Sequence, residues 1–490
     1  MNKTVTVLLV CLVLVGFVFA GGLMTNTNQS AAWVRTLHRD ASTDIDAVYF
    51  NPAGLTKLTD GFHFSFSNQY ITQTKEVVNN YTYLNESKYV GDVAAPFFPG
   101  VYLAYKTGNL AFSAGLNPIG GGGGAEYKTG LPSFEMPVSD LVPGLYAEGQ
   151  PVTDYDVDVY FEGTSVYLGG QFGVSYKMND MISVAVGGRY VSAKDTKKGH
   201  LKDAKILLDG SWTSASTFFT GAATQYTDAA TSATSAAGDL QPFIDGGAGD
   251  VTFANLILGS QIDSATVAAI GAGLTAFGFT WDETVYTPAT AQASYIGAAA
   301  GATASAAEMT AKAKLTGDQE ADVIQTGSGF TPIFSLNISP MEGLNIGFRY
   351  EHLTPLELEN DTKEGKELIT GFEEDGTPIY EFPDGAKSHS DMPAMIALGV
   401  SYQIMPQLRA ETSFHYYMDK DADYGGKEAY LDNNYYETGV ALEYTLNDKI
   451  KLSGGYLLAK TGASEDYQSD LSYSLSSNTI GFGGAYAVNP

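Results

Sequence analysis

The chain has 490 residues, 55 acidic against 27 basic side chains, a net charge of −28 and a single cysteine, Cys11. So acidic a chain lacks the basic surface that nucleic acid requires. Its lone cysteine and six scattered histidines (His38, His63, His200, His352, His389, His415) have no ligand spacing, so neither a metal nor another cofactor is expected.

Lys3, the apolar run Val5–Phe19 and the small-residue site Val18-Phe19-Ala20 form an export signal, residues 1–20, cleaved after Ala20. The run is too short for a spanning helix, which needs roughly 20 apolar residues. Cys11 lies inside the run and not at the cleavage point, which argues against a lipid anchor. The mature chain therefore has no cysteine, and its fold must hold without disulfides.

Asn51-Pro52-Ala53-Gly54 is a stiff turn: Pro52 fixes φ and removes a donor, Asn51 bonds its own backbone, and Gly54 permits a sharp reversal. Directly after it, Phe62, Phe64 and Phe66 alternate with His63, Ser65 and Ser67. Period-two alternation marks a strand between two environments. It recurs along the chain and predicts twelve strands, near 61–73, 96–106, 109–118, 161–177, 180–194, 319–338, 343–357, 391–403, 407–418, 433–446, 449–460 and 477–487. One face is aliphatic and aromatic. The other is mostly Gly, Ala and Ser, which implies a crowded interior.

Short turns, such as Asn179-Asp180 and Asn447-Asp448, take turns with long connections at 119–160, 195–318, 359–388, 420–432 and 461–476. One-sided loop lengths describe a transmembrane antiparallel β-barrel and not a secreted sandwich. Tyr105, Tyr176, Tyr402 and Tyr444 stand just before short turns on the apolar face, where an interfacial aromatic girdle belongs. Pro118 and Gly120 to Gly124 cannot continue a regular ladder, so pairing must fail or bend after the third strand. Within the insert 195–318, Ala-rich stretches are expected to be helical in a folded cap.

Charges on the inner face include Arg189, Arg349 and Arg409 with Glu351, Glu411, Glu437 and Glu443. In a crowded interior such charges pair with one another. The alternative is that one arginine, or Lys194 at its strand end, meets a ligand carboxylate. Ser413 and His415 share one face of a strand, but no nucleophile signature surrounds them, so catalysis is not expected.

The stretch "YFNPAGL", some thirty residues after the cleavage site and leading into the first strand, resembles the FadL/TodX family of outer-membrane hydrophobic-compound transporters. "LGGQFGVSYKMNDMISVAVGGRYVSAK" and "DMPAMIALGVSYQIMPQLRAETSFHYY" resemble the hairpins of that family. The resemblance implies a monomeric barrel of about fourteen strands in the cell outer membrane, residues 60–490 here, with an N-terminal hatch, residues 21–59, folded into the lumen. Asn51, Pro52, Ala53 and Gly54 would be hatch residues beside a kink in the third strand. Pro118, Gly120, Gly121 and Gly122 would mark a lateral exit into the membrane. The implied function is passive uptake of long-chain fatty acids or similar hydrophobic molecules. Uptake of aromatic or neutral hydrocarbons is the alternative, and a water-filled porin the more distant one. Against about fourteen strands the chain shows twelve, and it stops at "AYAVNP", so a further C-terminal hairpin is expected beyond residue 490.

Overall fold

The computed structural model describes residues 22–373 and 375–488; the export signal expected at residues 1–20 and Asn489-Pro490 lie outside the described residues. Twelve antiparallel strands form one meander in chain order, each bonded to the next. They are β1 (Gly61–Val78), β2 (Lys88–Thr107), β3 (Leu110–Tyr127), β4 (Val152–Lys177), β5 (Ile182–Leu208) and β6 (Gln319–Met341). Then come β7 (Leu344–Glu351), β8 (Met395–Met405), β9 (Leu408–Tyr417), β10 (Tyr436–Asn447), β11 (Ile450–Lys460) and β12 (Ser477–Tyr486).

The alternation sets which way each strand faces. Phe62, Phe64 and Phe66 are 87, 66 and 56 % exposed on the outside, and Phe112, Phe172, Val186, Val440 and Ile480 continue the outer apolar band. A band this large is an interface with an apolar medium, here the bilayer. Tyr105, Tyr176, Tyr402 and Tyr444 are exposed at its short-turn edge, as the sequence predicts.

Where the strands leave the band, they outrun the periodic signal. β5 continues to Leu208, so the insert begins at 209 and not at 195, and β2 starts at Lys88. Beyond the bilayer both faces meet water or loops, so apolar and polar residues no longer alternate. β3 likewise runs through its glycines to Tyr127 where the sequence ends it at 118.

Residues 22–58 pass through the lumen from the long-loop end, where Leu23 packs among Ala422, Tyr424 and Leu431, to the short-turn end, where Lys57 donates to the Asp180 carbonyl at 2.9 Å. The short helix Ala31–Thr36, capped by Ser30, packs against β10, β11 and β12 and also against β1. One six-residue helix therefore touches both ends of the meander, so the sheet curls around it. Asn51 closes the helix Ala47–Phe50 and Pro52 opens the 3-10 turn Pro52–Lys57, which rests on β4, β5 and β6. The segment and the wall share one core, with Trp33, Val48, Phe50 and Leu55 meeting Tyr102, Tyr167 and Val191.

Glycines on the wall let the segment's backbone lie flat against it. A Cβ at Gly347 would overlap the Asp40 carbonyl oxygen, and one at Gly455 that of Thr36. At Gly399 a Cβ would stand 2.5 Å from Ala41 N, and at Gly481 2.6 Å from the Val34 oxygen. The small inner residues read in the sequence are the bed for residues 34–41.

The insert is folded. Helices Ala215–Phe243 and Pro288–Leu315 pack side by side, with a separate core of Ala237, Leu240, Phe253, Leu274, Ala291 and Tyr295 toward their tip. Their sparse apolar faces are closed by alanine, which permits close helix approach.

Candidate functional site: a break in the wall and the segment behind it

β2 and β3 are paired from Thr107↔Leu110 to Val101↔Leu116, and again at Asp92↔Glu126 and Gly91↔Tyr127. Between these, residues 93–100 face 117–125 with no ladder. The outer partners hold: β1 follows β2 through this stretch, and β4 follows β3 with irregularities at Pro118/Gly120 and Gly120/Gly123. Eight unpaired residues open about 26 Å of seam.

Both lips are chemically unable to close it. Pro96 and Pro99 on β2 and Pro118 on β3 have no N–H to donate. Gly121 (φ +89) and Gly123 (φ +70) take left-handed backbone that turns β3 away. Pro118, Gly120, Gly121 and Gly122 thus sit inside a continuing strand, at the break with β2. Pro96 and Pro99 carry the same signal in the sequence as Pro118, since "APFFPG" interrupts an otherwise alternating run.

The N-terminal segment takes the place that β2 vacates. Thr25 bridges Gly120, Asn26 N donates to the Ile119 carbonyl at 2.8 Å, and the Asn26 amide donates to Gly121 O at 3.1 Å. Gln29 Nε2 donates to Pro118 O at 2.8 Å, and Asn117 Nδ2 to Gln29 Oε1 at 2.5 Å. Backbone groups of the β3 lip at 118–121, which a bilayer would leave bare, are satisfied from within.

Asn51, Pro52, Ala53 and Gly54 are buried. Asn51 Nδ2 donates to Ser42 O at 2.9 Å and to Asn337 Oδ1 at 2.7 Å; Ser335 Oγ donates to Asn51 Oδ1 at 3.2 Å. Ser175 Oγ donates to the Pro52 carbonyl at 2.7 Å. The turn is riveted to β4 and β6. The 3-10 helix that it opens also touches β2 and β3.

Arg189 and Arg349 converge. Arg189 holds Glu351 through two bonds of 2.7 and 2.8 Å, and Arg349 Nε lies 3.4 Å from the same carboxylate. The Tyr49 ring sits between the two guanidiniums, 4.9 and 4.7 Å from them, and its carbonyl accepts from Arg349. Arg409 pairs loosely with Glu443 at 3.5 Å and Glu411 at 3.7 Å, while Arg35 of the segment meets Glu443 at 2.5 Å. Lys194 is exposed on the outer face. His415 lies between two carboxylates, Nε2 2.7 Å from Asp40 and Nδ1 2.9 Å from Glu437, and Ser413 Oγ is not among its partners. Arg189 and Arg409 thus pair within the wall, and Arg349 joins the wall to the segment through Tyr49 and Asp40.

A recess above the segment is lined by Thr25, Tyr49, Ile119, Arg189, Glu351 and Tyr417, among others, and holds room for about one water. A ligand larger than water enters this recess only if its lining moves.

No family model and no curated protein sequence matches the chain. Among solved structures it is similar to the Pseudomonas putida toluene transporter TodX, with 13% identity over 96% of this chain and 90% of that one, at a TM-score of 0.45. It is also similar to a Pseudomonas aeruginosa FadL homologue, with 13% identity over 92% and 84% and a TM-score of 0.48. The translocator domain of the autotransporter NalP from Neisseria meningitidis follows, with 11% identity over 93% and 100% and a TM-score of 0.35.

Proposed function

We propose that this barrel resides in the outer membrane and takes up hydrophobic small molecules passively, releasing them sideways through the β2–β3 seam. The unpaired stretch 93–100 against 117–125, closed from inside by Thr25 and Asn26, carries this reading. A water-filled porin has no use for a wall that opens toward lipid, and its lumen is not filled by a folded segment.

On this reading residues 21–59 are a hatch with two unequal attachments. Toward β7–β12 it is held by buried charge and by backbone seated on glycines. Toward β3 it is held by neutral hydrogen bonds of Asn26, Gln29 and Asn117, each worth about 1 kcal/mol net. The weaker side moves first. Displacing residues 24–29 enlarges the recess beside Ile119 and bares the seam, and an apolar ligand then exchanges lumen for bilayer without meeting bulk water. The Asn51–Gly54 turn is the fixed end about which the hatch gives way. Long-chain fatty acids and aromatic hydrocarbons are both ligands of this class.

The test is to tie the lips together. Cysteines at Ala95 and Gly122, joined by a short bifunctional thiol reagent, should abolish uptake of a radiolabelled hydrophobic ligand into whole cells, and reduction of a cleavable linker should restore it. Full uptake through the tied barrel would refute the lateral route and favour passage straight through.

A further inference from the structure

Inward-facing cations of the described lumen are mostly spoken for: Arg35, Arg39, Arg189, Arg349 and Arg409 each have a carboxylate partner. Lys75 is different. It lies on the inner face of β1, half-buried, at the long-loop end of the seam. Its ammonium reaches past β2 toward the opposite lip, 3.9 Å from where a Gly122 Cβ would stand. It rests over the Tyr473 ring, 5.8 Å from the centroid, and pairs with no carboxylate among the described residues. Lys197 on β5 also lies over a ring, that of Phe382, but Asp195 shares its strand face. The same-face neighbours of Lys75 are Gln73 and Val77, and Val77 packs on the apolar cluster of Tyr89, Tyr127 and Leu131.

An ammonium withdrawn from water without a counter-charge is costly, and a ligand that supplies the anion relieves that cost. Beside it, Val93 is buried and Ala95 and Phe98 are half-buried along the seam, an apolar bed that suits a hydrocarbon tail. We propose that Lys75 is the head-group site of the exit path, pairing with the carboxylate of an anionic amphiphile whose tail lies along the β2–β3 seam. This rests on the lateral-release reading and narrows its ligand to a class. A neutral hydrocarbon gains nothing from Lys75. A fatty carboxylate gains a charge-assisted bond and is oriented tail toward the membrane.

The experiment compares a long-chain fatty acid with its own methyl ester, which shares the tail and lacks the charge. Equilibrium binding of each is measured on the full chain in nanodiscs of uncharged lipid, for the parent, K75M and K75R. K75M should weaken the acid at least about tenfold, the loss of one hydrogen bond to a charged group, and leave the ester within about twofold. K75R should retain the acid. Should K75M fail to assemble, K75Q makes the same comparison. An unchanged acid affinity, or an equal loss for acid and ester, overturns the head-group site while leaving lateral release standing. A parent that binds neither acid nor ester overturns the uptake reading itself.

Discussion

Glu351 neutralises two guanidiniums at once, those of Arg189 and Arg349, and all three side chains are buried. Pairing buried charge is roughly neutral overall, but removing one partner is expensive. Glu351→Gln should therefore lower barrel stability by about 3–5 kcal/mol, read as a drop in the denaturant midpoint of the detergent-solubilised protein. A midpoint unmoved by the change would mean that water already serves the arginines. Which charges meet was not legible in the sequence, since Arg189 and Glu351 stand on strands that become neighbours only through β6. That they would pair with one another was.

At the scale of elements, the bed for residues 34–41 makes a sharp test because adjacent glycines differ in what they face. Gly455→Val would drive a side chain into the Thr36 carbonyl, whereas a Cβ at Gly454 meets nothing closer than the Gly481 oxygen at 3.5 Å. The first variant should expose the N-terminal segment to limited proteolysis in an assembled barrel, and the second should leave it protected. Equal protection in both would show that the segment is not seated on the wall.

The loop after β9 adds a pH response. Asp419 is fully buried, accepting from Tyr424 Oη at 2.9 Å and Tyr435 N at 3.1 Å, and burial pushes its carboxyl up to about 6. The folded loop thus binds its proton more tightly than the unfolded chain does. Its stability is full below the ordinary carboxylate pKa of about 4 and declines as pH rises toward 6. Hydrogen exchange of the Tyr435 amide, corrected for intrinsic rates, should show protection falling across that window. Asp419→Asn should flatten the profile. Because Tyr424 and Leu431 pack on Leu23 and Met24, the same loosening would reach the start of the N-terminal segment.

For the whole molecule, the distal part of the helical insert has a core separate from that of the barrel. Ala233 to Ala299 enclose the distal core, while Ala215, Phe219 and Ala313 belong to the cluster at the barrel's end with Val152 and Ile206. Replacing residues 231–301 by a short Gly-Ser turn should leave assembly and heat-resistant gel mobility of the barrel unchanged. Failure to assemble would mean that the two cores fold as one unit.

Alternation of residue type was enough, by itself, to place all twelve strands, their outer faces and the side bearing long loops, because a bilayer and a packed lumen impose opposite demands on successive residues. It also marked Pro118 and the glycines as the place where pairing fails or bends. The partner lost there could not be read, because a ladder has two sides and β3 keeps β4 while parting from β2. Nor could the sequence separate Lys75 from the other lumen cations. Strand facing is a local property of the chain, whereas the pairing of distant charges, the filling of the seam by Thr25 and the isolation of one ammonium exist only once the sheet has curled round its N-terminal segment.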